Sequence, residues 1–116
     1  MPSSRRIQGE LVFPADAAPA LAERVVVELR DVSWMDQPSR VLASTVMQDV
    51  AIGPGVRVPF AFDGPVGQPT DSLSLRAQTD LRGAASRGGS DYLTTASQPV
   101  PPSGDVQGLV VPLVRP

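Results

Sequence analysis

Proline and glycine interrupt this sequence so often that short strands are favoured over long helices. Thirteen prolines and ten glycines occur in 116 residues, and proline breaks a helix because it lacks a backbone donor and clashes with the preceding turn. Between these breaks lie seven short runs in which apolar and polar residues alternate, as in strands with one buried face. The runs are residues 6–13, 24–30, 40–50, 56–63, 71–81, 91–100 and 105–114.

The alternation also predicts which side chains face the core. The inward positions of four runs are Ile7, Gly9, Leu11 and Phe13; Val25, Val27 and Leu29; Val56, Val58, Phe60 and Phe62; and Leu73, Leu75 and Ala77. Gly9 leaves a gap in its row, which indicates a bulge or the close approach of another segment. Pro59 cannot donate to a neighbouring strand, so its strand is expected at a sheet edge.

Two segments have less regular patterns. Residues 40–50 also fit one face of a helix, but their β-branched side chains and the strand-rich context favour a strand. Residues 14–23 are predicted to be a loop with at most one helical turn, because Pro14 and Pro19 interrupt them. Residues 82–90, rich in glycine and serine, are predicted to be a loop.

These runs predict an all-β fold. We expect residues 1–116 to form a single-domain antiparallel β-sandwich of about seven strands, in which two half-apolar sheets bury their inner faces against each other. An open barrel is the alternative architecture.

Composition excludes several classes of function. The sequence has no cysteine and no histidine, and all ten basic residues are arginine. Thiolate metal sites, histidine bases and lysine Schiff bases are therefore impossible, and we expect no catalysis, metal or other cofactor. A net charge of −2 with dispersed arginines argues against nucleic-acid binding. No apolar run is long enough for a transmembrane segment.

The order of segments resembles a bacterial family, the type III secretion lipoprotein chaperones (YscW/YbaY-like), whose members include pilotins. The resemblance covers about Ile7 to Val114 and rests on "IQGELVF", "VVVELRDVSWMDQPSRVLAS", "VPFAFD", "LSLRAQTDLRG" and "DYLTTASQPV". It implies an immunoglobulin- or transthyretin-like β-sandwich. Pilotin-type members carry a signal peptide and a lipidated cysteine, which this sequence does not contain.

The segment "DVSWMDQPSR" contains the only tryptophan. Asp31, Ser33 and Asp36 could suggest a Ca²⁺ loop, but the segment lacks the alternating acidic ligands and the glycine of such loops. We therefore interpret it as a turn in which Asp31 and Ser33 bond to nearby backbone amides. Trp34 and Met35 either fold back over the open end of the sandwich or contact a partner.

The sequence thus predicts a non-catalytic protein-interaction module, accessory or chaperone-like, that binds another protein. The alternatives are a structural subunit of a larger cytosolic enzyme complex and a small-ligand or sugar-binding sandwich. An exposed sheet edge could bind an extended peptide by strand addition, and the apolar run 109–114 is a candidate for such an edge. The chain as given is expected in the cytoplasm, or in the envelope if a leader has been removed.

Overall fold

The computed structural model describes residues 4–33, 37–81, 91–96 and 98–115. Within these ranges all regular secondary structure is β-strand. The strands are β1 (Ser4–Val12), β2 (Ala20–Asp31), β3 (Arg40–Ile52), β4 (Arg57–Pro65), β5 (Leu73–Leu81), β6 (Tyr92–Leu93), β7 (Pro99–Val100) and β8 (Val106–Pro112). The predicted all-β sandwich is confirmed.

The strands form two sheets. The three-stranded sheet has the order β4-β1-β8, and the five-stranded sheet has the order β3-β2-β5-β6, with β7 also paired to β5. The pairs are antiparallel except for β1 and β8, which run parallel. The strand that contains Pro59 is β4, which lies at an edge as the sequence predicts.

The core lies between the two sheets and contains the side chains that the alternation assigned to it. Val25, Val27 and Leu29 of β2 are fully buried. The inward rows of β4 and β5 are also buried: Val58, Phe60, Phe62, Leu73, Leu75 and Ala77. Val56 is only partly buried and packs at the margin of this cluster. Phe13 and Tyr92 meet edge to face, with ring centroids 5.4 Å apart, and join the core across the ends of both sheets.

Two segments differ clearly from their predicted form, and a third settles an open alternative. β2 begins at Ala20, inside the predicted loop, because the length of β3 lets Ala20 pair with Ile52. Residues 40–50 form a strand and no helix. The run 91–100 forms two short strands, since β6 and β7 pair with opposite ends of β5. The predicted loop 82–90 lies outside the described residues.

Arg5 has a charged side chain that is buried at the margin of the core, and only 5% of the residue's surface is exposed. Its guanidinium donates to the carbonyl oxygens of Pro65 (3.3 Å), Gly104 (3.2 Å) and Pro101. Burial lowers the pKa of Arg5, and the nearby charge of Asp105 acts in the opposite direction. The side chain ties β1 and the end of β4 to the loop before β8.

Candidate partner-binding surfaces

Trp34 and Met35, the sequence-predicted partner contacts, and Asp36 lie outside the described residues. Their role therefore stays a prediction. The residues before them are described: β2 ends at Asp31, and Val32 and Ser33 follow it.

Asp31 and Ser33 form the hydrogen bonds that the sequence predicts. The Asp31 carboxylate accepts bonds from the backbone amide of Ser33 (2.9 Å) and from its hydroxyl (2.6 Å). The Ser33 hydroxyl oxygen accepts a bond from the amide of Ser72 (2.9 Å). The hydroxyl bond and then the amide bond from Ser33 lower the pKa of Asp31. The predicted bonds of Asp31 and Ser33 to backbone amides are confirmed, and the bond of Ser33 joins the end of β2 to the segment before β5.

A groove of about 270 Å³ crosses the outer face of the five-stranded sheet beside β5. Arg30 lies at one end, where its guanidinium bonds to the Glu28 carboxylate (2.9 Å) and the Ser39 hydroxyl (2.8 Å). The other lining residues are Val32, Ser74, Leu75, Arg76, Thr94, Thr95 and Ala96. Glu28 neutralises Arg30, whereas Arg76 is a second arginine in the lining of this groove.

A larger and shallower groove, of about 510 Å³, lies on the three-stranded sheet. Glycine, alanine and proline form part of its lining, and the ion pair between Arg57 and Glu10 lies at its margin. Its lining residues are Gln8, Gly9, Glu10, Pro59, Phe60, Ala61, Gln107, Gly108 and Leu109. The groove has room for a ligand or a side chain from a partner, but its polar groups do not converge on one point that defines a chemistry.

The apolar run 109–114 does lie partly at a sheet edge, in β8. However, Val111 and Leu113 are buried, and Val114 forms a bridge to Leu93 of the other sheet. The edge is also interrupted, because Gly108 has a φ of 75° and Pro112 lacks a donor. This run mainly closes the sandwich and is a poor template for strand addition.

β3 is a different kind of edge. It is the longest described strand, at 13 residues, and pairs only with β2 within the described part of the chain. Val41 and Val46 are 43% and 47% exposed. No charged residue and no proline occurs from Val41 to Gln48. Natural edges usually carry such residues to block pairing with other chains, so we name residues 40–49 the β3 edge and regard it as the best candidate surface.

Two features of this arrangement were not predicted from the sequence. Arg5 occupies the same alternating row as Ile7 and Leu11, so the period of two already placed it inward. The β3 edge could not be found in this way, because the order of strands in a sheet is not contained in their local patterns. Within the described residues, no group of three acidic, histidine or cysteine side chains could hold a metal ion.

Comparison with solved structures identifies a similar fold. An alternative pilotin from the type II secretion system of Vibrio cholerae superimposes with a TM-score of 0.67, at 20% identity, over 97% of this chain and 99% of that chain. No family model matches the sequence, and no curated protein matches it. The resemblance to pilotin-type proteins therefore holds at the level of the fold. The described chain also has no helix long and apolar enough to cross a membrane.

Proposed function

We propose that this chain is a non-catalytic protein-interaction module of the accessory or chaperone-like type. The observation that carries the proposal is the whole-length agreement with the pilotin fold, which covers nearly all of both chains. Since a fold can host unrelated functions, the proposal also needs support from the chain itself.

Two properties of the chain support this proposal. It lacks histidine, cysteine and lysine, which supply most nucleophiles and bases in enzymes. It also presents a strand edge with no charged residue from Val41 to Gln48, which suits contact with another protein. Trp34 and Met35 are proposed as additional partner contacts, because large aromatic and sulfur-containing side chains are enriched at interfaces.

The more specific form of the proposal is a relationship to the type III lipoprotein chaperones, with a secretion-system component as the partner. The sequence segments from "IQGELVF" to "DYLTTASQPV" support it. The compartment is also a proposal: cytoplasm for the chain as given, and envelope for a product whose leader has been removed. Fractionation of native cells with an antibody against this chain distinguishes the two.

Co-purification from the native host tests the function. The tagged chain is recovered under mild conditions, bound proteins are identified, and each is then titrated with the purified chain. We expect one protein to bind in a fixed ratio. A stable assembly whose other members are subunits of one enzyme would favour the structural-subunit alternative. Binding of a metabolite or sugar with no protein enriched over an untagged control would contradict the proposal.

A further inference from the structure

We propose that the β3 edge is a docking site for an extended segment of the partner, which adds to the five-stranded sheet as an antiparallel strand. The inference rests on the proposed function and names the surface and the chemistry of the segment. Because β3 ends the sheet, every second residue presents its backbone amide and carbonyl to the free side. These groups are satisfied by another extended backbone, whereas the backbone of a helix already bonds within itself.

The other described edges carry features that oppose strand addition. β4 has Pro59 in its middle, and charged Arg57 and Asp63 on the same outer face. β8 is bent by Gly108 and stopped by Pro112, and its register against β1 shifts. β6 and β7 have two residues each, which is too short for a stable pairing. From Val41 to Gln48, β3 has no proline and no charged residue, and its pairing with β2 runs without a shift from Ala43 to Gln48. A bulge at Leu42 and the positive φ of Asp49 (56°) lie at the two ends of this regular stretch.

The composition of the β3 edge defines the partner segment. Val41 and Val46 leave apolar surface on the outer face of the sheet, which a β-branched cross-strand neighbour would cover. The edge is bounded by a basic residue, Arg40, and an acidic one, Asp49, and both are exposed. An antiparallel segment therefore matches when its amino end is basic and faces Asp49, and its carboxyl end is acidic and faces Arg40.

A second copy of this chain does not meet these conditions. Residues opposite each other in an antiparallel pair must point to the same side of the sheet. With a twofold axis at Thr45, in the middle of the edge, Arg40 would face Val50 and Asp49 would face Val41. In this register neither end charge meets an opposite charge, so the segment that we propose belongs to another protein.

A designed peptide tests the charge and strand requirements directly. It has the length of residues 40–49 and alternates valine and threonine, with lysine at its amino end and glutamate at its carboxyl end. Its control has the two charges exchanged. Fluorescence anisotropy measures binding to the intact chain, and amide hydrogen exchange locates it. We expect protection of the β3 edge and binding about threefold tighter than that of the control peptide.

The variant Val46→Lys places a charge on the β3 edge and tests whether the peptide binds there. Val110→Lys on β8 is its control, because Val110 is similarly exposed, at 49%. A denaturation curve for each verifies folding. We expect Val46→Lys to lower the affinity for the peptide by about tenfold or more and Val110→Lys to leave the affinity unchanged. Any of four results would overturn the proposal: equal weakening of peptide binding by both variants, protection of amides on β4 or β8, no binding of either peptide, or a concentration-dependent dimer of the chain in light scattering. The partner recovered by co-purification separates the two claims: if it binds Val46→Lys as tightly as the unaltered chain, the β3 edge is wrong and the proposed function stands.

Discussion

Gly9 of β1 lies so close to Leu109 of β8 that a Cβ atom on Gly9 would stand 2.5 Å from the Leu109 carbonyl oxygen. The register of this parallel pair shifts between Ile7 and Gly9. The gap in the inward row of β1 is therefore filled by the backbone of β8. The sequence predicted a bulge or a close approach at Gly9, and the structure has both.

Gly9→Ala should therefore destabilise the fold. The added methyl group meets backbone, which cannot rotate away, so one strand must shift; we expect a loss of about 1–3 kcal/mol in the free energy of unfolding. Urea denaturation measures it. Gly53→Ala is the control, because its Cβ would be 3.6 Å from the nearest atom, a Val56 methyl carbon. Equal stability of both variants would show that the approach at Gly9 is loose.

Arg5→Met should cost more than loss of an exposed arginine. Methionine keeps the apolar stem but leaves the carbonyl oxygens of Pro65, Pro101 and Gly104 without their donor. We expect a loss of about 2–4 kcal/mol in denaturant unfolding.

Arg6→Met is the matched control for that variant. Arg6 pairs with Asp63 at 3.4 Å, and both side chains are at least half exposed, so its loss should cost only about 0.5 kcal/mol. If the two neighbouring arginines prove equivalent, Arg5 is not the anchor described above.

Thr79→Val should leave the fold unchanged or make it more stable. The Thr79 side chain is fully buried, and its hydroxyl oxygen has no hydrogen-bond partner among the described residues. Replacing it with a methyl group removes an unsatisfied polar atom, so thermal unfolding should show a gain of about 0.5–1 kcal/mol. Thr94→Val provides the contrast, because the Thr94 hydroxyl accepts a bond from the Ala77 amide (3.3 Å). A clear loss at Thr79 would reveal a partner for its hydroxyl.

The Asp31 carboxylate should make stability fall in acid. Its pKa is lowered in the folded chain by the bonds from Ser33, below the ordinary value of 3.8. The contribution of Asp31 is therefore complete above that ordinary value and is lost as the pH falls through the lower, folded value. Ser33→Ala should raise the pKa of Asp31, as followed by the carboxyl carbon signal in an NMR titration. Identical midpoints in both proteins would show that the Ser33 hydroxyl does not hold the carboxylate.

The local sequence pattern was sufficient to predict the strands and which face of each strand is buried. Alternation placed Val25, Val27 and Leu29 in the core because a period of two fixes the buried face wherever one side of a strand is covered. The same period contained the signal for Arg5, although a charged residue in an inward row is normally read as a strand end. Composition also resolved the ambiguity of residues 40–50, since β-branched side chains suit a strand.

Pairing between distant strands was beyond the reach of the pattern. The parallel contact of β1 with β8 joins residues about a hundred positions apart, such as Ile7 and Val106, and no local feature specifies it. The position of β3 at an edge depends on the same long-range order. The candidate surface could therefore be found only once the sheets were assembled, while the tryptophan segment stood out from composition alone.

Amide hydrogen exchange of the chain alone and in complex with its co-purified protein tests the central claim most directly. We expect the β3-edge amides that point away from β2, every second residue of the stretch, to exchange quickly in the free chain and to become protected in the complex, while those of β2 and β5 are slow in both. Unchanged exchange across β3 in a saturated complex, with protection elsewhere, would contradict it.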